Sequence, residues 1–160
     1  GKLWADDPEA GQAEMVARGF LSATSAKVAR PFVYESDRID RKFSELYKPI
    51  SSPEDYKLVL QSRAAAPSGA SVFAYRVTME GEQPRMMVVL PEGRMPKVYW
   101  EFFAEVGDYS WDEFMELQPS EPAMMRVWAY KGNRYVTPYN EAEWQCYILH
   151  NYSETQVLHA

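Results

Sequence analysis

Hydrophobic residues in the first part of the chain recur at helical spacing. Asp7 precedes Pro8, and an N-capping side chain followed by proline is a favourable start for a helix. An apolar stripe then follows, which predicts an amphipathic helix over residues 8–22 with one buried face. The stripe consists of Ala13, Val16, Ala17, Phe20 and Leu21.

Two shorter helices are predicted before residue 50. Thr24 is a candidate cap for a helix over residues 25–29, which Pro31 would end because the residue before a proline avoids helical dihedral angles. Ser36 is a candidate cap for a third helix, which Pro49 would end. The apolar stripe of this third helix is Ile39, Phe43, Leu46 and Tyr47.

The pattern changes to that of strands after residue 55. A strand is predicted over residues 56–63, where Leu58 and Leu60 share one face. Over residues 70–79, large apolar side chains alternate with smaller or polar ones, which predicts a half-buried strand. The large alternating residues are Phe73, Tyr75, Val77 and Met79.

Two more strands are predicted over residues 85–90 and 97–106, and the second of these is rich in aromatic residues. Short turn sequences at residues 80–82 and 91–93 join the runs. Strands joined by such short turns pair with their neighbours in the chain, so we expect an antiparallel meander.

One helix interrupts the strands, and its start is the clearest local signal in the chain. Ser110 and Glu113 match a capping box, while Tyr109 and Phe114 match the hydrophobic staple that accompanies it. Pro119 would end this helix.

The end of the chain again has the pattern of strands. They are predicted over residues 122–130 and 143–152, with a turn at residues 131–133 and a short strand at Tyr135. Residues 156–160 resemble the beginning of another strand.

Helices followed by a run of strands predict an α+β fold with N-terminal helices packed on a curved antiparallel sheet. The 160 residues suit a single domain, with residues 1–7 expected to form a flexible N-terminus. A series of βαβ units is not seen, which argues against a doubly wound nucleotide-binding fold.

Composition excludes several classes of protein. Hydrophobic residues make up 46% and aromatic residues 14% of the chain, which is enough apolar mass for an ordered core. The formal net charge of −6 argues against a nucleic-acid-binding protein, whose surface would be basic. No apolar run is long enough to predict a membrane span.

The sequence predicts neither a metal site nor a cofactor. It contains no G-x-G-x-x-G motif and no Walker loop. Its histidines are His150 and His159, and with the single cysteine Cys146 they offer few ligands for a zinc ion. A single cysteine also excludes an intramolecular disulfide.

Acidic residues are concentrated between Lys97 and Arg126, where the sequence has no lysine or arginine. They form either a patch that binds a cation or a basic partner, or the solvated surface of the capped helix. Glu101 differs because it lies between Trp100 and Phe102 in a predicted strand. Burial there would favour the protonated carboxyl group and make it a weak candidate for a catalytic base, unless it lies on the open face.

Aromatic residues on the predicted strands are the candidate ligand-binding residues. Tyr75, Trp100, Trp128 and Tyr147 either line a pocket on the concave face of the sheet or are core residues that meet the helices. Arg126 lies in the middle of a predicted strand, where it either anchors an anionic group or faces solvent.

Several short segments together carry a resemblance to a known superfamily. They are GFLSAT (19–24), PFVY (31–34), DRI (37–39), YWEFF (99–103), SWDEF (110–114), EPAMMRV (121–127) and CYIL (146–149). With them, the chain resembles the nuclear-transport-factor-2-like superfamily, and within it an uncharacterised bacterial group. The resemblance implies a cystatin-like cone, in which N-terminal helices pack on a curved sheet.

This superfamily includes ketosteroid isomerases, polyketide cyclases and domains that only bind. Its enzymes place an Asp or His base inside the cone, whereas this chain has no histidine in its helical third. We therefore predict a non-catalytic bacterial domain that binds a small apolar ligand or a protein partner through the concave face, with a homodimer as a further expectation. The alternative is an acid–base enzyme of the isomerase or cyclase type, with Glu101 as base and a tyrosine as hydroxyl donor.

The resemblance also suggests a location. Members of the similar bacterial group are soluble domains behind an N-terminal membrane anchor. A chain that begins at Gly1 suits this arrangement, so we expect a periplasmic or membrane-anchored ectodomain of the cell envelope from which the anchor has been removed.

Overall fold

The computed structural model describes residues 7–50, 55–133, 135 and 138–150, together with the backbone of residues 157–159. The helices in these residues are α1 (Pro8–Leu21), α2 (Ala26–Ala29), α3 (Asp40–Leu46), α4 (Trp100–Phe103) and α5 (Trp111–Leu117), with a 3₁₀ helix at Arg30–Phe32. The strands are β1 (Tyr56–Ala65), β2 (Ser71–Met79), β3 (Arg85–Glu92), β4 (Met95–Val98), β5 (Trp128–Lys131), β6 (Tyr147–His150) and β7 (Val157–His159).

The chain divides into two compact units, which we call unit 1 (Gly1–Ala104) and unit 2 (Glu105–Ala160). Unit 1 contains α1 to α4 and an open sheet of order β1-β2-β3-β4, whereas unit 2 contains α5 and a sheet of order β5-β6-β7. All these pairs are antiparallel. The predicted α+β fold is confirmed, but its strands form two sheets.

Helix α1 begins and ends as the sequence predicts. The carboxylate of Asp7 accepts hydrogen bonds from the backbone N–H groups of Glu9 and Ala10, at 2.9 and 3.4 Å, and Ser22 ends the helix. The predicted apolar stripe is buried throughout. Residues 1–6, most of the expected flexible N-terminus, lie outside the described residues.

The inner face of the unit 1 sheet follows the predicted alternation. Helix α1 packs mainly over β4 and β3 and also contacts β2. The side chains that β2 places under the helices are all buried, and they are the predicted set Phe73, Tyr75, Val77 and Met79. Met87, Val89 and Val98 continue this face across β3 and β4.

The caps of the two short helices differ from the prediction. Ser25 and not Thr24 caps α2, because its hydroxyl accepts from the backbone N–H of Val28 at 3.3 Å. Helix α2 ends at Ala29, before Pro31, as predicted, and the fixed φ of Pro31 suits the 3₁₀ helix that follows. Ser36 lies in a run of turns, and α3 begins at Asp40 without a side-chain cap.

The predicted strand over residues 97–106 is wrong beyond residue 99. Tyr99 still donates its backbone N–H to the carbonyl of Val88 in β3 at 2.8 Å, and the chain then turns into α4. In a strand, Trp100 and Phe103 would point to opposite faces, whereas one helical turn brings both into the core. Burial of these two aromatic rings therefore overrides the strand propensity of the segment.

Unit 2 keeps the predicted elements in shortened form. Helix α5 has the complete capping box, with reciprocal hydrogen bonds between Ser110 and Glu113. Of the predicted strand over residues 122–130, β5 contains 128–130 and extends to Lys131; of the predicted strand over residues 143–152, β6 contains 147–150, and residues 151 and 152 lie outside the described residues. Tyr135 is not in a strand. The expected final strand is β7.

Where the structure describes the chain, no helix is both long and apolar enough to cross a membrane.

Close packing of α1 against the 3₁₀ helix gives a first testable prediction. A Cβ atom at Gly19 would lie 2.6 Å from the Cε1 and Cζ atoms of Phe32. Gly19→Ala should lower the free energy of unfolding by about 1–3 kcal/mol because the ring must move. Denaturant unfolding measures this change, and a smaller side chain in Phe32→Leu should recover part of the loss.

The matched control is Gly11→Ala in the same helix, where an added Cβ meets nothing within 4 Å. Alanine has the higher helix propensity, so this variant should gain about 0.5–1 kcal/mol. Equal effects of the two substitutions would contradict the proposed contact.

Candidate functional site

The candidate ligand-binding residue Tyr75 lies in the middle of β2, on the face of the sheet that α1 covers. Only 2% of the residue is exposed. Its position follows from the alternation along β2, which points every second side chain toward the helices. Across the sheet, it pairs with Leu60 of β1 and Met87 of β3.

The hydroxyl group of Tyr75 is buried and has no hydrogen-bond partner among the described residues. Burial raises the pKa of Tyr75 to about 12, the Glu14 carboxylate acts in the same direction, and the Arg18 guanidinium opposes them. The phenol is therefore neutral at physiological pH and offers a proton to an acceptor. A buried hydroxyl without a partner is costly, which makes this group unusual in a native core.

A polar rim lies near this hydroxyl. Glu14 and Arg18 are one turn apart on α1, and the guanidinium of Arg18 contacts the carboxylate of Glu14 at 2.9 Å. Hydrogen bonds to Glu14 and, more weakly, to Tyr56 of β1 raise the pKa of Arg18, against the effect of burial. Arg18 thus links α1 to the first strand while half of its side chain stays exposed.

The strand next to Tyr75 supplies apolar surface that is only partly covered. Leu58 and Leu60 of β1 are on the inner face, opposite Val77 and Tyr75 of β2. Both leucines are half-buried, although their partners on β2 are fully buried. Because α1 packs mainly over β3 and β4, the inner face becomes more open toward β1. We call this partly covered surface of Tyr56, Leu58 and Leu60, beside the buried Tyr75, the Tyr75 groove.

Glu101, the candidate catalytic base, lies in α4 and not in a strand. It is 3% exposed, and the buried residues on either side of it in α4 are Trp100 and Phe103. Their rings make edge-to-face contacts with Phe43 of α3 and Phe20 of α1, at centroid distances of 4.9 and 5.9 Å. These contacts fix α4, so the carboxylate of Glu101 is held in place by core packing.

Two cationic side chains meet this carboxylate. The Nη2 atom of Arg38 lies 2.5 Å from Oε1 of Glu101, and Nζ of Lys42 lies 3.7 Å from Oε2. Arg38 also contacts the carboxylate of Glu35 at 2.6 Å. Glu101 therefore joins α4 to the turn before α3 and to α3 itself. The two cations compensate the negative charge of this buried carboxylate.

The other predicted site residues belong to both units. Trp100 is buried in the core of unit 1. Arg126, Trp128 and Tyr147 belong to unit 2. There, Arg126 is half-buried and donates to the carbonyl of Val106, Trp128 pairs with His150 across the sheet, and Tyr147 is half-exposed.

Sequence reasoning did not select the cations that pair with Glu101 or the pair on α1. Arg38 lies 63 residues before Glu101 in the chain, and local spacing carries no signal for such a contact. Glu14 and Arg18 have i,i+4 spacing, which is typical of a surface ion pair, so their closeness to a buried phenol was not apparent.

The comparisons add no family or relative. No protein-family model, no curated protein and no solved structure matches this chain. Among the described residues, no group of three or more His, Cys, Asp or Glu side chains has an arrangement that could hold a metal ion.

The unpartnered hydroxyl gives a prediction about stability. Tyr75→Phe should leave the free energy of unfolding unchanged or raise it by about 1 kcal/mol, because it removes a buried polar group that lacks a partner. The matched control is Tyr47→Phe, which removes a hydroxyl that donates to the carbonyl of Ala23 at 3.0 Å. The control should lose about 1 kcal/mol. Urea unfolding of the ligand-free proteins measures both, and equal losses would contradict the assignment.

The ion pair between Arg38 and Glu101 predicts that removing one partner costs more stability than removing the other. Arg38→Met removes the cation 2.5 Å from a buried carboxylate oxygen, so it should cost about 3 kcal/mol. Glu101→Gln leaves an arginine that is 53% exposed and can be hydrated, so it should cost only about 1 kcal/mol. Chemical unfolding measures both variants.

Arg41→Met is the control for this pair, because Arg41 bonds to Glu45 on the exposed surface of α3 and should change stability by less than about 0.5 kcal/mol. A larger loss for Glu101→Gln than for Arg38→Met would refute the asymmetry.

Proposed function

We propose that unit 1 binds a small, largely apolar molecule that carries a neutral hydrogen-bond acceptor, such as a carbonyl group. The observation that supports this proposal is the buried hydroxyl of Tyr75 without a partner. An acceptor atom of a ligand in the Tyr75 groove would satisfy this donor. Ligand sites are commonly apolar surfaces with a few polar groups that fix orientation, and the groove has this composition.

The electrostatic surroundings favour a neutral acceptor over an anionic one. Tyr75 is a neutral phenol with a pKa of about 12, close enough to Glu14 for that carboxylate to contribute to the shift. A ligand carboxylate would be repelled by Glu14, and Arg18 is already bonded to Glu14. A carbonyl oxygen accepts from the phenol without bringing a charge into the core.

The half-buried leucines of β1 supply the apolar contact that such a ligand needs. Leu58 and Leu60 extend the buried surface of β2 toward the edge of the sheet. Transfer of an alkyl chain onto this surface is favourable in proportion to the area removed from water, about 25 cal/mol per Å². Affinity would therefore come mainly from the apolar part, and orientation from Tyr75.

The surroundings of Glu101 support binding over general acid–base catalysis. Its carboxylate faces Arg38 and Lys42 and is almost completely covered by protein. Both carboxylate oxygens of this candidate base already contact cationic side chains, whereas a general base must have an oxygen within hydrogen-bond reach of the substrate proton. In the geometry described here, Glu101 stabilises the packing of α4.

Four expectations from the sequence stay predictions. They are the resemblance to the nuclear-transport-factor-2-like superfamily, the cone shape, the location in a bacterial cell envelope and the homodimer. The Tyr75 groove supports a small ligand better than a protein partner, because one buried donor suits one small acceptor group.

Two matched ligands test the proposal. 2-Undecanone and undecane have the same chain length, and only the ketone carries an acceptor. In thermal unfolding, the ketone should raise the melting temperature of the native protein more than the alkane does, because a ligand that binds only the native state stabilises it. Fluorescence titration with Prodan, a neutral aromatic ketone, gives the dissociation constant.

Variants connect the result to the groove. Tyr75→Phe should weaken Prodan binding about three- to tenfold, which corresponds to the loss of one hydrogen bond. Tyr47→Phe, the control with a partnered hydroxyl, should bind as the native protein does. The proposal fails if ketone and alkane give equal shifts, or if both tyrosine variants bind Prodan equally well.

A further inference from the structure

An exposed pair of aromatic rings lies on a turn of unit 2. Tyr139 and Trp144 are 49% and 55% exposed, and their ring centroids are 4.9 Å apart at an interplanar angle of 78°. In such an edge-to-face pair, one ring directs its edge at the other, so its own two faces stay free of the contact. Together the two rings present adjacent aromatic surface at this turn.

Hydrogen bonds within the turn hold the backbone that carries Trp144. The backbone carbonyl of Asn140 accepts from the N–H of Trp144 at 2.9 Å and from that of Glu143 at 3.3 Å. The side chain of Asn140 accepts from the N–H of Ala142 at 3.0 Å. A surface that is already ordered loses less conformational entropy when it binds a partner.

Two acidic residues lie on the same turn as these rings. Glu141 and Glu143 lie on the same turn and are exposed, and the amide of Asn140 holds the carboxylate of Glu143 at 3.3 Å. The sequence of unit 2 has nine acidic and three basic residues, a net charge of −6, whereas unit 1 has fourteen of each and a net charge of zero. The whole net charge of the chain is therefore in unit 2.

We propose that the turn with Tyr139 and Trp144 docks a lysine or arginine side chain from a basic segment of a protein partner. A cation is attracted to the face of a tryptophan or tyrosine ring, and Glu141 and Glu143 add charge complementarity. The acidic unit steers a basic segment toward the turn. The same charge repels an anionic membrane and nucleic acid.

The test is a titration of the 160-residue chain with the peptide Ac-(Lys-Ala)4-NH2 in 0.15 M salt. The indole N–H resonance of Trp144, assigned from the Trp144→Leu variant, reports contact in a ¹H–¹⁵N spectrum. Affinity comes from the shifts of amide resonances elsewhere in the turn. The same peptide with acetylated lysines keeps the apolar stems without the charge, and it should not bind.

Variants separate ring recognition from general attraction. Trp144→Leu keeps the net charge and should weaken binding of the lysine peptide about three- to fivefold, the effect of one exposed cation–π contact. Tyr139→Leu should also weaken it. Glu116→Gln, at an exposed position of α5 outside the turn, lowers the net negative charge by one without changing the turn and should change affinity less than about 1.5-fold, because salt weakens attraction to net charge alone.

Three outcomes would overturn the proposal. One is equal affinity of Trp144→Leu and the native protein. Another is a loss for Glu116→Gln as large as for Trp144→Leu, which would indicate attraction to net charge alone. The third is a response of the Trp144 resonance to phosphatidylcholine vesicles but not to the peptide, which would assign the rings to a membrane interface.

Discussion

Edge-to-face packing between α4 and the N-terminal helices is the contact on which unit 1 depends. Phe103 meets Phe20, and Trp100 meets Phe43. Both rings come from one helical turn, so the chain must leave the sheet directly after β4 for the two contacts to form together. The same turn brings the carboxylate of Glu101 into the core, where an ionised group without a partner would be strongly destabilising. The ion pairs made from the turn before α3 and from α3 are therefore a consequence of aromatic packing.

Where local pattern decides the structure, the sequence predicts it well. The helix that Asp7 caps, the capping box at Ser110 and the alternation along β2 are all found as expected, because each depends on neighbours in the chain. The prediction is wrong at α4, where aromatic residues with high strand propensity form a helix. Four residues carry too little periodicity to separate the two structures, and the deciding contacts come from helices more than fifty residues away in sequence.

In the candidate site too, the features set by local pattern are predictable and those set by contacts distant in sequence are not. Alternation places Tyr75 on the inner face, so its burial is predictable from the sequence. Its lack of a partner is not, because this depends on which acceptors α1 and β1 bring near the hydroxyl. Likewise, Glu101 is recognisable as a carboxylate among aromatic residues, whereas its partners Arg38 and Lys42 follow only from the fold. Glu101 and Tyr75 thus differ in kind: the carboxylate is paired with cationic side chains, whereas the phenol hydroxyl has no partner among the described residues.

The units also differ in how they can recognise other molecules. Unit 1 has no net charge, and the hydroxyl of Tyr75 is buried on the face of the sheet that α1 covers. A ligand that reaches this hydroxyl must therefore exchange contact with water for contact with apolar side chains. Such binding depends little on salt, because burial of apolar surface has no long-range component. Unit 2 has all of the net charge and a turn with exposed rings, so attraction acts at a distance and weakens with ionic strength. The acidic composition of the chain is therefore a property of one unit, and it says nothing about the ligand of the other.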